Sequence, residues 1–112
     1  MGYKQFDRLN LRSGTIIKAE DFPRASKPAY EIWADFGPQI GVLHTSAQVT
    51  EHYCPGTLVG KRIVGYVNMT EKSDAGFKPQ FIPVGFFDQD GNVVLATIDY
   101  HVPNGEKAYL SS

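Results

Sequence analysis

The stretch Thr45–Tyr53, TSAQVTEHY, decides how the chain is parsed. Strand-like segments flank it on both sides, and its opening residues carry helix-start chemistry. Thr45-x-x-Gln48 has the form of a capping box, in which a hydroxyl satisfies a free amide one turn on and the glutamine side chain reaches back. Ser46 is an alternative cap, which moves the helix start by one residue. The spacing predicts a helix over Thr45–Tyr53, the one clear helix in a chain of short strands. The same side chains have a competing use. Gln48 offers a paired donor and acceptor to a base edge, and Ser46 can bond a phosphate or a 2′-hydroxyl.

Upstream, Ala29–Phe36 alternates cleanly. Tyr30, Ile32, Ala34 and Phe36 share one face, and Glu31, Trp33 and Asp35 the other, as in a half-buried strand. Gly37-Pro38 is a turn, and Ile40–Leu43 reads as the partner strand. Before them, Phe22–Pro28 is bracketed by two prolines and reads as a loop carrying Arg24 and Lys27. A strand runs from Leu11 through the β-branched pair Ile16 and Ile17, with Gly14 inviting a bend or bulge. Gln5–Leu9 is a short helical turn presenting Phe6 and Leu9 on one face.

Downstream, Pro55, Gly56 and Gly60 read as a helix stop and a loop. Arg62–Asn68 is a strand. Met69–Gly76 is a second long loop bearing Lys72. Phe81–Phe87 is a strand interrupted by Pro83, which suggests an edge or bulge position. Asp88–Asn92, DQDGN, is a strong hairpin turn signal, followed by a returning strand over Val93–Ile98. Val102-Pro103-Asn104-Gly105 makes a last turn before Ala108–Leu110. Three strands, a helix and then two or more strands is the order of an OB-fold barrel, which grips ligands with strands two and three and the loops joining strands one to two and four to five. The expected architecture is therefore all-β with one short helix: a five-stranded Greek-key OB-fold barrel with N- and C-terminal extensions, one domain spanning residues 1–112.

The 112 residues are enough to bury a single core, and a 42% hydrophobic, 21% charged composition is that of an ordinary globular protein. Eleven basic and twelve acidic residues give a formal net charge of −1, which argues against strong, non-specific polyanion binding. Cys54 is the sole cysteine, so no disulfide forms within the chain, and a reducing compartment fits. No apolar run is long enough to span a membrane or to act as a signal peptide, so a cytoplasmic location without membrane insertion is expected.

The chemistry-bearing residues are few. Trp33 sits in the polar phase of its strand, where it could stack a base or pack against a terminal segment or a second subunit. Arg24, Lys27, Lys72 and Lys78 lie in or beside the two ligand loops and are candidates for phosphate contacts, although a solvated loop has the same composition. His44, His52, Cys54 and His101 match no zinc spacing, and no nucleophile elbow, P-loop or dinucleotide fingerprint is present. Asp88 and Asp90 belong to a hairpin turn rather than to a carboxylate pair. No enzymatic activity, metal or cofactor is expected.

The blocks FDRLNLRSGTIIKAEDFPRASKPAY, DFGPQIGVLHTSAQVTEHY, LVGKRIVGYVN and VVLATIDYHVPNGEK resemble the CsaA family of bacterial export-related chaperones, from about Phe6 to Lys107. These are small stand-alone tRNA-binding domains, related to modules attached to some aminoacyl-tRNA synthetases. The resemblance implies a homodimer built through the N-terminal segment and the C-terminal strands. It also implies binding of tRNA or another structured RNA, or of unfolded and preprotein polypeptides. By position, Ser46 and Gln48 match the family's S-x-Q motif and Asn68 its strand-four asparagine. The RNA site expected is thus Ser46, Gln48, Asn68, Arg24, Lys27, Lys72 and Lys78; for a polypeptide, Trp33 and Phe77 are the candidate contacts. Leu43 stands where the family commonly has lysine, Thr70 and Glu71 replace a proline pair, and Pro79-Gln80 replaces a Ser-Glu pair. These departures imply a weakened or altered ligand site.

Overall fold

A computed structural model of the chain describes residues 3–67 and 78–110; the expected loop at Met69–Gly76 lies outside them. The alternating segment forms β2 (Tyr30–Asp35), with Tyr30, Ile32 and Ala34 buried and Glu31, Trp33 and Asp35 partly exposed. Its neighbours are β1 (Leu11–Asp21) and β3 (Val42–Ala47), both antiparallel to it. On its far side β1 pairs with β4 (Arg62–Tyr66), and β4 in turn with β5 (Ile82–Pro83). The sheet order is β3-β2-β1-β4-β5.

The barrel closes between β3 and β5. The Gln80 backbone N–H donates to His44 O at 2.9 Å, and the Gln80 Oε1 accepts from the His44 N–H at 2.8 Å. The resulting cycle, 1-2-3-5-4-1, is the Greek-key OB topology expected from the element order.

The helix expected at Thr45–Tyr53 is not there. Val42–Ala47 pairs with β2 along its whole length, so Thr45 and Ser46 are strand residues, and Thr45 is buried opposite Ile32 instead of capping a helix. An alternating face with a six-residue partner outweighs a local capping signal, because strand residues gain both ladder hydrogen bonds and burial. The helix between strands three and four is instead α2 (Pro55–Leu58), following α1 (Tyr3–Arg8) in chain order. The residues read as a stop are its start. Proline fits the first helical position because its missing N–H would have no intrahelical partner there. Thr57 fastens the turn: its Oγ1 accepts from the Cys54 N–H at 3.1 Å. Leu58 is fully buried at the barrel end, the plug that the fold requires.

Two glycines hold an unexpected place. The bulge in β1 falls between Ile16 and Lys18, not at Gly14. Gly14 and Gly65 instead flank the Phe36 ring: a Cβ on either would lie 2.8 and 2.6 Å from it. Phe36 also meets Phe81 edge-on at 5.0 Å, and both rings are fully buried at the centre of the core.

Pro83 marks where the chain leaves the barrel. Val84 donates to Val64 O and accepts from the Ala96 N–H, and a separate two-stranded sheet follows, β6 (Gly85–Phe87) with β7 (Val93–Leu95). The turn between them is Asp88–Asn92, as predicted. Asp88 Oδ1 accepts from the N–H groups of Asp90 and Asn92.

The final segment is a strap along β1. Beyond Thr15 towards its N-terminus, β1 has no β2 partner, and residues 103–108 occupy that edge. Ser13 N–H donates to Glu106 O, Gly105 N–H to Ser13 O and Ala108 N–H to Leu11 O. Arg12 and Arg62 reach the carbonyls of Gly105 and Val102 at 2.9 and 2.6 Å. An edge so covered cannot recruit a foreign strand.

Candidate functional site

The end of β3 and the residues after it, Ser46-Ala47-Gln48-Val49, emerge beside the loop after β1 and the β6–β7 hairpin. Three hollows meet there. One of about 300 Å³ is lined by Ser46, Gln48, Val49, Ile82, Pro83 and Val93 among others. A second, of about 430 Å³, shares Gln48, Val49 and Val93 with it and adds Lys27, Phe87 and Asn92. A third, of about 440 Å³, lies under the Phe22–Pro28 loop and shares Lys27, Pro28 and Thr50 with the second. Together they form one trough, and Gln48 sits where the first two join. Such volumes fall in the ordinary range for ligand sites.

The walls are fixed from behind. His52 Nε2 lies 2.6 Å from Asp88 Oδ2, tying the hairpin turn to the segment that follows β3. Tyr53 adds a second tie: its hydroxyl accepts from the Leu95 N–H at 3.0 Å, and its carbonyl accepts from the Tyr30 hydroxyl at 2.8 Å. Asp88 gathers enough donors, from Asn92 first and then His52, to hold its carboxyl below the usual range.

Of the residues expected at an RNA site, Ser46, Gln48 and Lys27 come together on this trough. Arg24 is exposed on the same loop as Lys27 but lines none of the three hollows, and Lys78 is exposed beside Pro79. Asn68, Lys72 and Phe77 lie outside the described residues. Phe87 and Asn92 line the trough although no motif pointed to them. The adjacent aromatics Phe86-Phe87 before a polar turn were the available signal, and a strand reading absorbed them. Gln80 holds the backbone of His44, two residues before Ser46.

Trp33 belongs to a neighbouring, outer face of the sheet. His44 stacks on it at 4.2 Å with the rings 9° from parallel, and Lys18 Nζ stands 4.5 Å from its centroid. Ser46 is opposite Glu31 on that face, and Glu31 Oε1 lies 3.2 Å from His44 Nε2. Burial pushes the His44 imidazole below its ordinary pKa; Glu31 opposes the shift without reversing it.

These two shifts predict a pH profile. A histidine with a depressed folded pKa binds protons better when unfolded, so its contribution is complete above pH ~6.5 and fades as pH falls through that value. Asp88, depressed below an ordinary carboxylate, contributes above pH ~4 and loses that only in stronger acid. Thermal melts from pH 8 to 3 should therefore show two successive losses, and His44→Gln should remove the first alone. A wild-type melting temperature that is flat between pH 7.5 and 5 would refute the His44 assignment.

Among the described residues, no three of His, Cys, Asp and Glu gather as metal ligands, and no helix is long and apolar enough to cross a membrane. Cys54 is exposed, and the Thr57 hydroxyl, 3.6 Å from its sulfur, draws the thiol pKa down.

No family model matches the chain. The structure superposes on that of the chaperone CsaA from Bacillus anthracis with a TM-score of 0.88 at 38% identity, covering 96% of this chain and 97% of that one. It superposes on the CsaA chaperone protein from Picrophilus torridus with a TM-score of 0.89 at 35% identity, covering 96% and 98%. A curated relative, the methionine–tRNA ligase of Methanocaldococcus jannaschii, is 28% identical over 101 residues, which are 90% of this chain and 15% of the ligase. The chain thus spans about a seventh of the length of the curated relatives it matches.

Proposed function

The chain belongs to the CsaA family, and from that premise we propose that it is a non-catalytic RNA-binding module that takes tRNA or another structured RNA in the trough beside Gln48. One observation carries the reading: the fold brings Ser46 and Gln48, far from Lys27 in sequence, to the same trough as that cation. Recurrence of the module in ligases that act on tRNA supports it. In this reading Ser46 and Gln48 supply hydrogen bonds to sugar or base, and Lys27, Arg24, Lys72 and Lys78 supply phosphate contacts. Asn68 completes the set. The protein acts in the cytoplasm as a homodimer. Gln80 is committed to closing the barrel, which is the physical basis for binding altered from that of the family.

Titrating fluorescent bulk tRNA at two salt concentrations tests this. Affinity should fall steeply with salt, and Lys27→Ala should lower the slope of log K against log salt by about one contact, roughly 0.7–0.9. Ser46→Ala and Gln48→Ala should each weaken binding by about three- to tenfold, the loss of one hydrogen bond. No binding at low ionic strength would refute the reading.

A polypeptide client is the second reading. It rests on the exposed apolar side chains of Ile82, Phe86 and Phe87, with Trp33 and Phe77 as the further contacts expected from the sequence. It requires suppression of client aggregation that is nearly independent of salt.

A further inference from the structure

We propose that the hollow between residues 48–51 and the β6–β7 hairpin holds one unstacked adenine of a single-stranded RNA segment, its face on Phe87 and its edge on the carboxamides of Gln48 and Asn92. The inference rests on the RNA reading above and specifies a site within it.

Phe87 lines this hollow with 77% of its surface exposed, and it makes no ring contact among the described residues. A flat apolar face left in water beside a concavity is the element that base stacking needs, since every base has a π-face. Gln48 and Asn92 line the same hollow, and neither side-chain amide has a hydrogen-bond partner among the described residues.

Asn92 is nevertheless held firmly. Its N–H donates to Asp88 Oδ1 at 3.0 Å and its carbonyl accepts from the Asp88 N–H at 2.9 Å, while Asp88 is itself tied to His52. A rigid backbone presenting an unused carboxamide is preorganised for a ligand with paired donor and acceptor.

Charge then selects among parts of an RNA. Lys27 and Glu51 both line the hollow, so a phosphate inside it would meet the carboxylate as well as the cation; Lys27, which also borders the hollow under the Phe22–Pro28 loop, is left to the RNA backbone outside. A neutral base does not pay that repulsion. On the Hoogsteen edge, adenine alone among the bases sets a donor, N6, beside an acceptor, N7, in the spacing that a carboxamide matches with two hydrogen bonds. The hollow of about 430 Å³ has room for the ring and its sugar.

Fluorescence anisotropy with labelled hexamers of riboadenosine and ribouridine, run beside bulk tRNA at low salt, tests the site on the full chain. Wild type should bind the adenosine hexamer at least about fivefold tighter than the uridine hexamer. Phe87→Ala should weaken the adenosine hexamer about tenfold, and Phe87→Trp should retain it. Gln48→Ala combined with Asn92→Ala should bring the adenosine hexamer down to the uridine level. Unchanged melting temperatures for these surface variants would show that folding is intact. If wild type binds tRNA but Phe87→Ala leaves the adenosine hexamer unaffected, the base site is wrong and the RNA reading stands. If wild type binds no RNA, both fall. If Phe87→Ala abolishes protection of a denatured client and leaves the hexamer unaffected, the hollow is a polypeptide site and the proposal is overturned.

Discussion

Replacing Phe36 with alanine is expected to cost about 3–5 kcal/mol of folding stability, the range for deleting a buried aromatic ring and leaving a cavity. The ring is fully buried, and its neighbours cannot collapse into the space. Gly14 and Gly65 have no side chains to move, and both belong to paired strands whose backbone spacing is set by hydrogen bonds. Phe81 would lose its edge-on partner as well. Domains of this size have about 5–15 kcal/mol in total, so the loss is roughly a fifth of stability or more. Urea denaturation measures it through the midpoint at constant m-value. A change below about 1 kcal/mol would mean that the barrel relaxes around the gap, contrary to the packing described.

Gly105→Ala is expected to destabilise by about 3 kcal/mol, combining a left-handed backbone penalty of about 1–2 kcal/mol with a steric conflict that must be relieved by backbone movement. Gly105 has φ +91°, and a Cβ there would lie 2.5 Å from Phe36 O. The approach is reciprocal: a Cβ on Gly37 would lie 2.6 Å from Asn104 O. Gly41 provides the control. Its φ is +87°, yet nothing stands within 4 Å of its Cβ position, so Gly41→Ala should cost only the backbone penalty. Equal effects of the two substitutions in thermal melts would show that the close approach contributes nothing.

The Gly105 contact bears on what can be read from a sequence. DFG at residues 35–37 and VPNG at 102–105 are each legible as turns, but nothing local says that their backbones touch. The alternation of 29–36, the proline-bracketed loop and the DQDGN hairpin were all readable because each depends on its own residues. The helix was misplaced for the opposite reason. Thr45 and Gln48 carry real capping chemistry, and only the presence of a partner strand, β2, makes Thr45 a buried strand residue. The site divides along the same line. Of the residues that line the trough, Ser46, Gln48 and Lys27 were singled out from motif and loop position, whereas Phe87 and Asn92 reach it through a side sheet; Pro83 signals the break in the strand, but nothing local says where the chain goes after it.

The strap that closes along β1 also sets the order of events when the chain is made. Ser13 waits for a partner 90 residues later, Pro103, whose carbonyl accepts its hydroxyl at 2.7 Å. At a ribosomal rate of roughly 5–20 residues per second, that edge of the first strand stays open on the order of 5–20 s after it is synthesised. A premature stop near residue 100 would release a nascent barrel with the edge still bare, open to pairing with a neighbouring copy. The first strand to be translated is thus the last to be completed.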